Sequence, residues 1–221
     1  MLYIYLMKKT AIILGATGLT GSILLDILIK DNSFEKIKLF SRNSIEINNS
    51  KVEEHIIDLL QLEKYTDQFK ADVVFCCIGT TKSKTPDKDL YRKIDYGIPV
   101  TAAKLSKINN IKTFIVISAL GADSSSKVFY NKTKGEMERD VLKQKIESIY
   151  ILQPSLIVGD RSEWRLGESV AGVFMKIFDF LIPKRYKIIK AKTISKAMHV
   201  LSKEGYSEEF ISSEKIKEIA L

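Results

Sequence analysis

Residues 11–25 read AIILGATGLTGSILL: an unbroken apolar run, then glycine at every third position from Gly15 through Gly18 to Gly21, then a second apolar stripe. A short β-branched run followed at once by such a loop and by a helical pattern constrains the fold more than any composition does. The first glycine permits the tight turn out of the strand, the second lets backbone approach a pyrophosphate, and the third lets the helix pack on the strand. The amino terminus of that helix offers free N–H groups and a partial positive charge to phosphate oxygens. The stretch predicts a strand, turn and helix that bind a dinucleotide.

The chain then repeats the alternation. Strands are expected at Thr10–Leu14, Lys36–Ser41, Val52–Ile57, Asp72–Ile78, Thr113–Ser118 and Ser148–Leu152, most of them too continuously apolar to face water on either side. Helical patterns lie between them at Leu19–Lys30, Leu59–Phe69, Lys88–Ile108 and Lys127–Lys145, whereas Ser44–Ser50 is too short and too rich in asparagine for a full helix. With right-handed crossovers, this succession gives an α/β fold: a doubly wound parallel sheet, the Rossmann fold, with helices on both faces. After Gln153 the rhythm breaks. Residues 154–221 are expected to form a small, partly irregular C-terminal elaboration on the substrate side, within a single domain spanning 1–221. It would hold a loop with Trp164, a helix over Glu168–Ile182, an apolar run at Tyr186–Ile189 and two further helices.

Composition narrows the function classes. With 45% hydrophobic and 28% charged residues the chain is an ordinary globular one. It has no apolar run near the roughly 18 residues of a membrane span, so no membrane partner is expected. The opening MLYIYLMKKTAIILGATG imitates a secretory signal. Its apolar segment after Lys9 is shorter than the usual 7 to 15 residues or so, and the glycine loop stands where a cleavage site belongs. Met7 is an alternative start. Cys76 and Cys77 adjoin in one buried strand, so they point to opposite faces and no disulfide is expected. Reduced thiols without an export signal lead to a cytoplasmic expectation. The net charge of +8 comes from lysines scattered along helical stretches rather than bunched beside aromatics, which reads as solvated faces and predicts no nucleic-acid partner. His55 and His199 lack a surrounding thiol or carboxylate pattern, so no metal is expected.

The second strand ends Phe40-Ser41-Arg42-Asn43, where NAD-binding folds place an acid on the ribose 2′-hydroxyl. An arginine there suits a 2′-phosphate, so NADP(H) is preferred over NAD(H). Asp58 either accepts from the adenine amino group or caps the helix that begins at Leu59. Ser118 ends the fifth strand, Tyr130 follows twelve residues later, and Lys134 lies four beyond it on the same helix face. A tyrosine has a reference pKa of about 10, so to work as a base near neutral pH it needs a fixed cation close by. Lys134 is placed to supply that cation, and Ser118 to hold a substrate oxygen. Ser118 stands in ISALG rather than GxSxG and no histidine is placed as its base, which argues against a hydrolase.

ILGATGLTG, CCIGTTKSK, ALGADSSSKVFYNKTKGEME and DRSEWRLGE, spread over Lys9 to Glu168, resemble the short-chain dehydrogenase/reductase superfamily, in its atypical branch around the Tat-interacting-protein oxidoreductase. The resemblance implies NADP(H) binding by Gly15, Thr17, Gly18, Leu19, Thr20, Gly21 and Arg42, with Ile78, Gly79 and Thr80 along the ribose and nicotinamide path. It also implies a Ser118, Tyr130, Lys134 triad in which Lys134 holds the nicotinamide ribose, so that Tyr130 and Lys134 touch cofactor as well as substrate. Two positions depart from the superfamily pattern. Asp95 and Tyr96 stand in the stretch where many members carry a relay asparagine, and Gln153-Pro154 replaces Arg-Pro, leaving Pro154 to shape the pocket.

The sequence thus reads as an NADP(H)-dependent oxidoreductase that moves hydride between nicotinamide and an unidentified carbonyl or alcohol, with Tyr130 as acid and base. The partner is a small-molecule substrate, and the chain acts as a monomer or homodimer. An alternative from another class is an NADP(H)-sensing regulatory or interaction protein, suggested by the short stretch after Gln153. That same shortage weakens a sugar-nucleotide epimerase. Arg161, Glu163, Arg165 and Glu168 form either a substrate lip or a solvent-exposed ion-pair network.

Overall fold

A computed structural model of the protein describes residues 8–159, 183 and 186–221. Seven parallel strands form one sheet in the order β3-β2-β1-β4-β5-β6-β9: β1 (Lys9–Leu14), β2 (Phe34–Ser41), β3 (Val52–Ile56), β4 (Val73–Cys76), β5 (Thr113–Ile117), β6 (Ser148–Gln153) and β9 (Phe210–Ser212). A second, two-stranded ladder joins β7 (Ile157–Val158) to β8 (Ile189–Lys190). The order reverses between β1 and β4, which opens a crevice beyond their carboxyl ends.

The period of two sorts the apolar side chains into two cores. Ala11, Ile13, Val73, Phe75 and Ile115 face one side, under α1 (Leu19–Lys30), α5 (Ala191–Glu204) and α6 (Ser213–Ile219). Ile12, Leu14, Val74, Cys76 and Phe114 face the other, under a 3-10 segment (Leu59–Tyr65), α3 (Ile98–Ile108) and α4 (Phe129–Leu142). Helices therefore cover both faces, as the alternation of elements predicts. Cys76 and Cys77 do divide between the two cores, and neither forms a disulfide.

Three elements differ from the sequence reading. The helix expected over Leu59–Phe69 is a 3-10 segment that ends at Tyr65, with Gln61 out of helical geometry inside it. The helix expected over Lys88–Ile108 is α2 (Lys88–Arg92), then a π turn (Lys93–Gly97), then α3. A π turn is rare, adds a residue to the coil and frequently marks a functional site. The strand β9 was not expected at all. Its three residues pair Ile151 with Phe210, Leu152 with Ile211 and Gln153 with Ser212, too short a run to declare itself by alternation.

The C-terminal elaboration is sewn to the first βα unit by polar contacts. Ser195 Oγ donates to Thr20 O at 2.9 Å and Lys9 Nζ to Ser202 O at 2.7 Å. Asp31, at the end of α1, lies 2.6 Å from His199 Nε2 and 2.9 Å from Lys203 Nζ, both on α5. Burial alone would raise the Asp31 carboxyl, but hydrogen bonds from Ser33, His199 and Lys203 together hold it well below the usual carboxylate range. A group depressed in the folded state contributes stability above its unfolded pKa and loses it as pH falls through the folded value. Asp31→Asn is therefore expected to lower the melting temperature at pH 7, by an amount that shrinks as the pH falls below the ordinary carboxylate range. Thermal melts across pH check this, and a variant that melts with the same acid limb as the parent would remove Asp31 from the acid response.

Candidate active site

The glycine loop sits at the mouth of the crevice. Gly15 has φ +86°, a conformation that side chains rarely adopt, and a Cβ there would lie 2.8 Å from Cys77 O at the end of β4. A Cβ on Gly21 would lie 2.2 Å from Gly15 O, so only glycine lets α1 close onto the turn. Gly18 is the N-cap of α1 with extended backbone and no side-chain cap, which leaves the first amides of the helix to a ligand. These features fit a dinucleotide pyrophosphate.

Beyond the loop is a cleft of about 470 Å³, within the usual range for a small-molecule site. Gly15, Thr17, Gly18, Arg42, Asp58, Ile78, Gly79 and Thr80, all expected at the site, line it. Leu19, Thr20 and Gly21 stand outside this lining. Thr20 is 7% exposed and its carbonyl is held by Ser195, while the side chain of the half-exposed Leu19 lies against Gly159. Arg42 and Asn43 form the wall at the end of β2, with Asp58 across from them. Asp58 caps the 3-10 segment through Leu60 N at 3.0 Å and accepts from Gln61 Nε2 at 3.0 Å. Of the two roles the sequence leaves open for Asp58, capping is thus present, and its carboxylate still borders the cleft. Hydrogen bonds from Leu60 and Gln61, with the charge of Arg42, keep it ionised below the ordinary range.

Ser118, Tyr130, Lys134 and Pro154 also stand outside this lining; Lys134 and its partner Asp95 adjoin it at Gly79 and Thr80. Ser118 follows β5 and is 4% exposed; its N–H donates to Leu152 O at 2.7 Å, and its hydroxyl makes no hydrogen bond of ordinary geometry. Lys134, one turn along α4 from Tyr130, is also 4% exposed. Its ammonium lies 2.9 Å from Asp95 Oδ1, and Asp95 is itself 1% exposed. Asp95 Oδ2 accepts from Thr80 N at 2.7 Å, which ties the π turn to the loop after β4. Tyr130 leaves 40% of its surface open at the rim, yet burial of its hydroxyl end raises its pKa, with Lys134 opposing and Asp95 adding to the rise. Pro154 is buried behind the site and its carbonyl accepts from Leu120 N at 2.9 Å.

Sequence reasoning missed one member of this group. Glu138 continues the stripe of Tyr130 and Lys134 by four more residues and is 5% exposed. Burial raises its carboxyl, while Ser118, Gln153 and Lys134 pull it back. Gln153 Nε2 donates to both carboxylate oxygens at 3.0 and 3.2 Å. The glutamine that stands in place of an arginine is thus spent on Glu138. The repeated four-residue spacing along α4 was the available signal. Cys77 borders the cleft, but burial pushes its thiol up, and pushes Cys76 up to about 12, so neither offers an appreciable thiolate. His55 stacks on Phe40 at 4.5 Å and His199 is taken by Asp31. The lip expected from Arg161, Glu163, Arg165 and Glu168, the loop of Trp164 and the helix expected over Glu168–Ile182 lie outside the described residues.

The strand order, the glycine turn and the crevice at the reversal point define a dinucleotide-binding protein of the Rossmann class. Residues 15–157 match the family model described as NAD(P)H-binding, and the chain belongs to that family. It is 34% identical to protein HTATIP2 of Rattus norvegicus over 171 residues, 76% of this chain and 70% of that protein. It is likewise 34% identical to the mitochondrial protein FMP52 of Candida albicans over 165 residues, 72% of each. Among solved structures, the Bordetella bronchiseptica enzyme WbmG in complex with NAD superposes with a TM-score of 0.69 at 13% identity, covering 95% of this chain and 74% of that one. A UDP-glucose 4-epimerase from Thermotoga maritima does so at 0.65 and 16%, covering 88% and 73%. Both likenesses show the fold. The cytoplasmic expectation does not stand, because the FMP52 relatives are named mitochondrial.

Proposed function

We propose that the protein is an NADP(H)-dependent oxidoreductase acting on a carbonyl or alcohol substrate, with Ser118, Tyr130 and Lys134 at the reacting end. The observation that carries this reading is the buried Lys134 ammonium one turn from Tyr130 and next to Gly79, which lines the same cleft as the glycine turn. A sensor that only bound nucleotide would have no need of the tyrosine.

In this reading the amides at the start of α1 hold the pyrophosphate and Arg42 meets the 2′-phosphate, while Asp58 borders the adenine and Gly79 and Thr80 flank the nicotinamide ribose. Bound there, the cofactor supplies or accepts a hydride, an electron pair with one hydrogen, at the carbon of the substrate C–O bond. Tyr130 exchanges a proton with the oxygen of that bond, Ser118 holds the same oxygen, and Lys134 fixes the ribose.

A fluorescence titration with NADPH and with NADH tests the cofactor assignment. Wild type is expected to bind NADPH more tightly. Arg42→Ala, which removes a charged hydrogen-bonding partner, is expected to weaken NADPH by about tenfold or more and to leave NADH nearly unchanged. Equal weakening of both would take the 2′-phosphate away from Arg42.

A further inference from the structure

The superfamily logic read from the sequence gives Lys134 the task of lowering the Tyr130 pKa; Lys134 does pull it down, but burial and Asp95 push it the other way. Lys134 is not a free cation. Its ammonium is 2.9 Å from a carboxylate that is buried as deeply as itself. An isolated charge within about 4–6 Å of a tyrosine shifts it by about 1 to 3 pH units. A cation and an anion in contact present a dipole instead, and most of that shift cancels.

We propose that Asp95 is a positioning residue that holds Lys134 and offsets its charge, so that Tyr130 serves the site as a proton donor and the site is built for carbonyl reduction. The inference deepens the oxidoreductase reading and rests on it for its chemistry.

Four features carry it. Asp95 lies in the π turn, whose added residue turns the carboxylate inward from a helix that would otherwise run straight from Lys88 to Ile108. Asp95 Oδ2 is fixed by Thr80 N, so the carboxylate cannot swing away from Lys134. Asp95 Oδ1 has the ammonium as its neighbour and makes no hydrogen bond of ordinary geometry, although it is buried. Gly79, which lines the cleft, stands directly beside the pair: a Cβ on it would lie 3.6 Å from Asp95 Oδ1 and 3.9 Å from Lys134 Nζ.

The charges around Tyr130 agree. Lys134 and Glu138 lie along its own helix, Asp95 comes from the π turn, and Tyr91 comes from α2, donating to Thr80 O at 3.2 Å. Arg92 and Glu136 pair with each other. With Lys134 offset by Asp95, burial decides, and Tyr130 is raised rather than lowered. The neutral phenol is then the resting form. As a hydride adds to the carbonyl carbon, the substrate oxygen takes the electron pair of the breaking C=O π bond, the Tyr130 O–H bond breaks and its proton passes to that oxygen. The tyrosinate oxygen recovers a proton from solvent after the product alcohol leaves.

Carbon-13 NMR of tyrosine Cζ tests this on the protein without cofactor, the Tyr130 signal among the nine tyrosines being identified by its loss in Tyr130→Phe. In wild type it is expected to keep its protonated position up to about pH 10, the ordinary tyrosine value. In Asp95→Asn it is expected to titrate about 1 to 3 pH units lower than in wild type. The high-pH fall in reduction rate is expected to move down with it. In the double variant Asp95→Asn/Lys134→Met the signal returns close to wild type, which keeps the test alive if the single variant folds poorly. A wild-type Tyr130 that ionises well below pH 10, or a double variant in which it rises by a pH unit or more, overturns the proposal. Tyr130 protonated as expected with no carbonyl compound reduced would instead sink the oxidoreductase reading and leave the Asp95 arrangement standing.

Discussion

Tyr130→Phe is expected to lower NADPH-dependent turnover by about 10²–10⁴-fold, the range that a positioned general acid contributes. The substitution removes one oxygen and keeps the ring. Because Tyr130 is 40% exposed at the rim, its stability cost is expected to stay within about 0.5 kcal/mol. The pyrophosphate turn and Arg42 are untouched, so NADPH affinity stays near wild type. The measurement pairs a fluorescence titration with single-turnover oxidation of bound NADPH by a panel of aliphatic and aromatic carbonyl compounds. Loss of turnover with binding retained assigns the proton to Tyr130. Turnover retained at the wild-type rate removes Tyr130 from the chemistry, and loss of binding would mean that the phenol holds the nucleotide instead.

The difference between what the sequence disclosed here and what it did not follows from the range of the interactions concerned. The strand, glycine turn and α1 were legible because each glycine answers a local steric demand, and the helix occupies Leu19–Lys30 as its apolar stripe predicts. Four of the six longer strands, β1, β4, β5 and β6, were legible because they are buried on both faces and run almost unbroken in apolar residues. The strand β9 was not, since three residues at a sheet edge carry no period and are placed only by β6 beside them.

The active-site end shows the same division. The spacing of Tyr130 and Lys134 is a helical property, and it brought the pair to one face of α4 as expected. What the spacing could not disclose was the state of the lysine, because its partner arrives from a π turn almost forty residues earlier in the chain. Asp95 stood out in the sequence only as a departure from a common asparagine. Glu138 and Gln153 were likewise visible as letters, one inside a helical stripe and one as a missing arginine. Their meaning depends on a contact of 3.0 Å between α4 and β6.

Lys134→Met is expected to destabilise the fold by about 3–5 kcal/mol, because it strands the Asp95 carboxylate, 1% exposed, with only the Thr80 amide for company. For a chain of this size that corresponds to a fall of about 6–20 °C in melting temperature. The methionine fills nearly the same volume, so little of the loss comes from a cavity. Adding Asp95→Asn is expected to restore most of the stability, since the amide oxygen still accepts from Thr80 and no charge remains buried. Melts of the two single variants and the double variant close the cycle, and a coupling below about 0.5 kcal/mol would show that the two charges do not depend on each other. A large coupling has a consequence for function as well as for stability. A buried ion pair is seldom the most stable filling for its space, and an apolar pair of similar volume often does better. Its place beside Gly79, at the edge of the cleft, fits a site that spends stability on holding one ammonium in place.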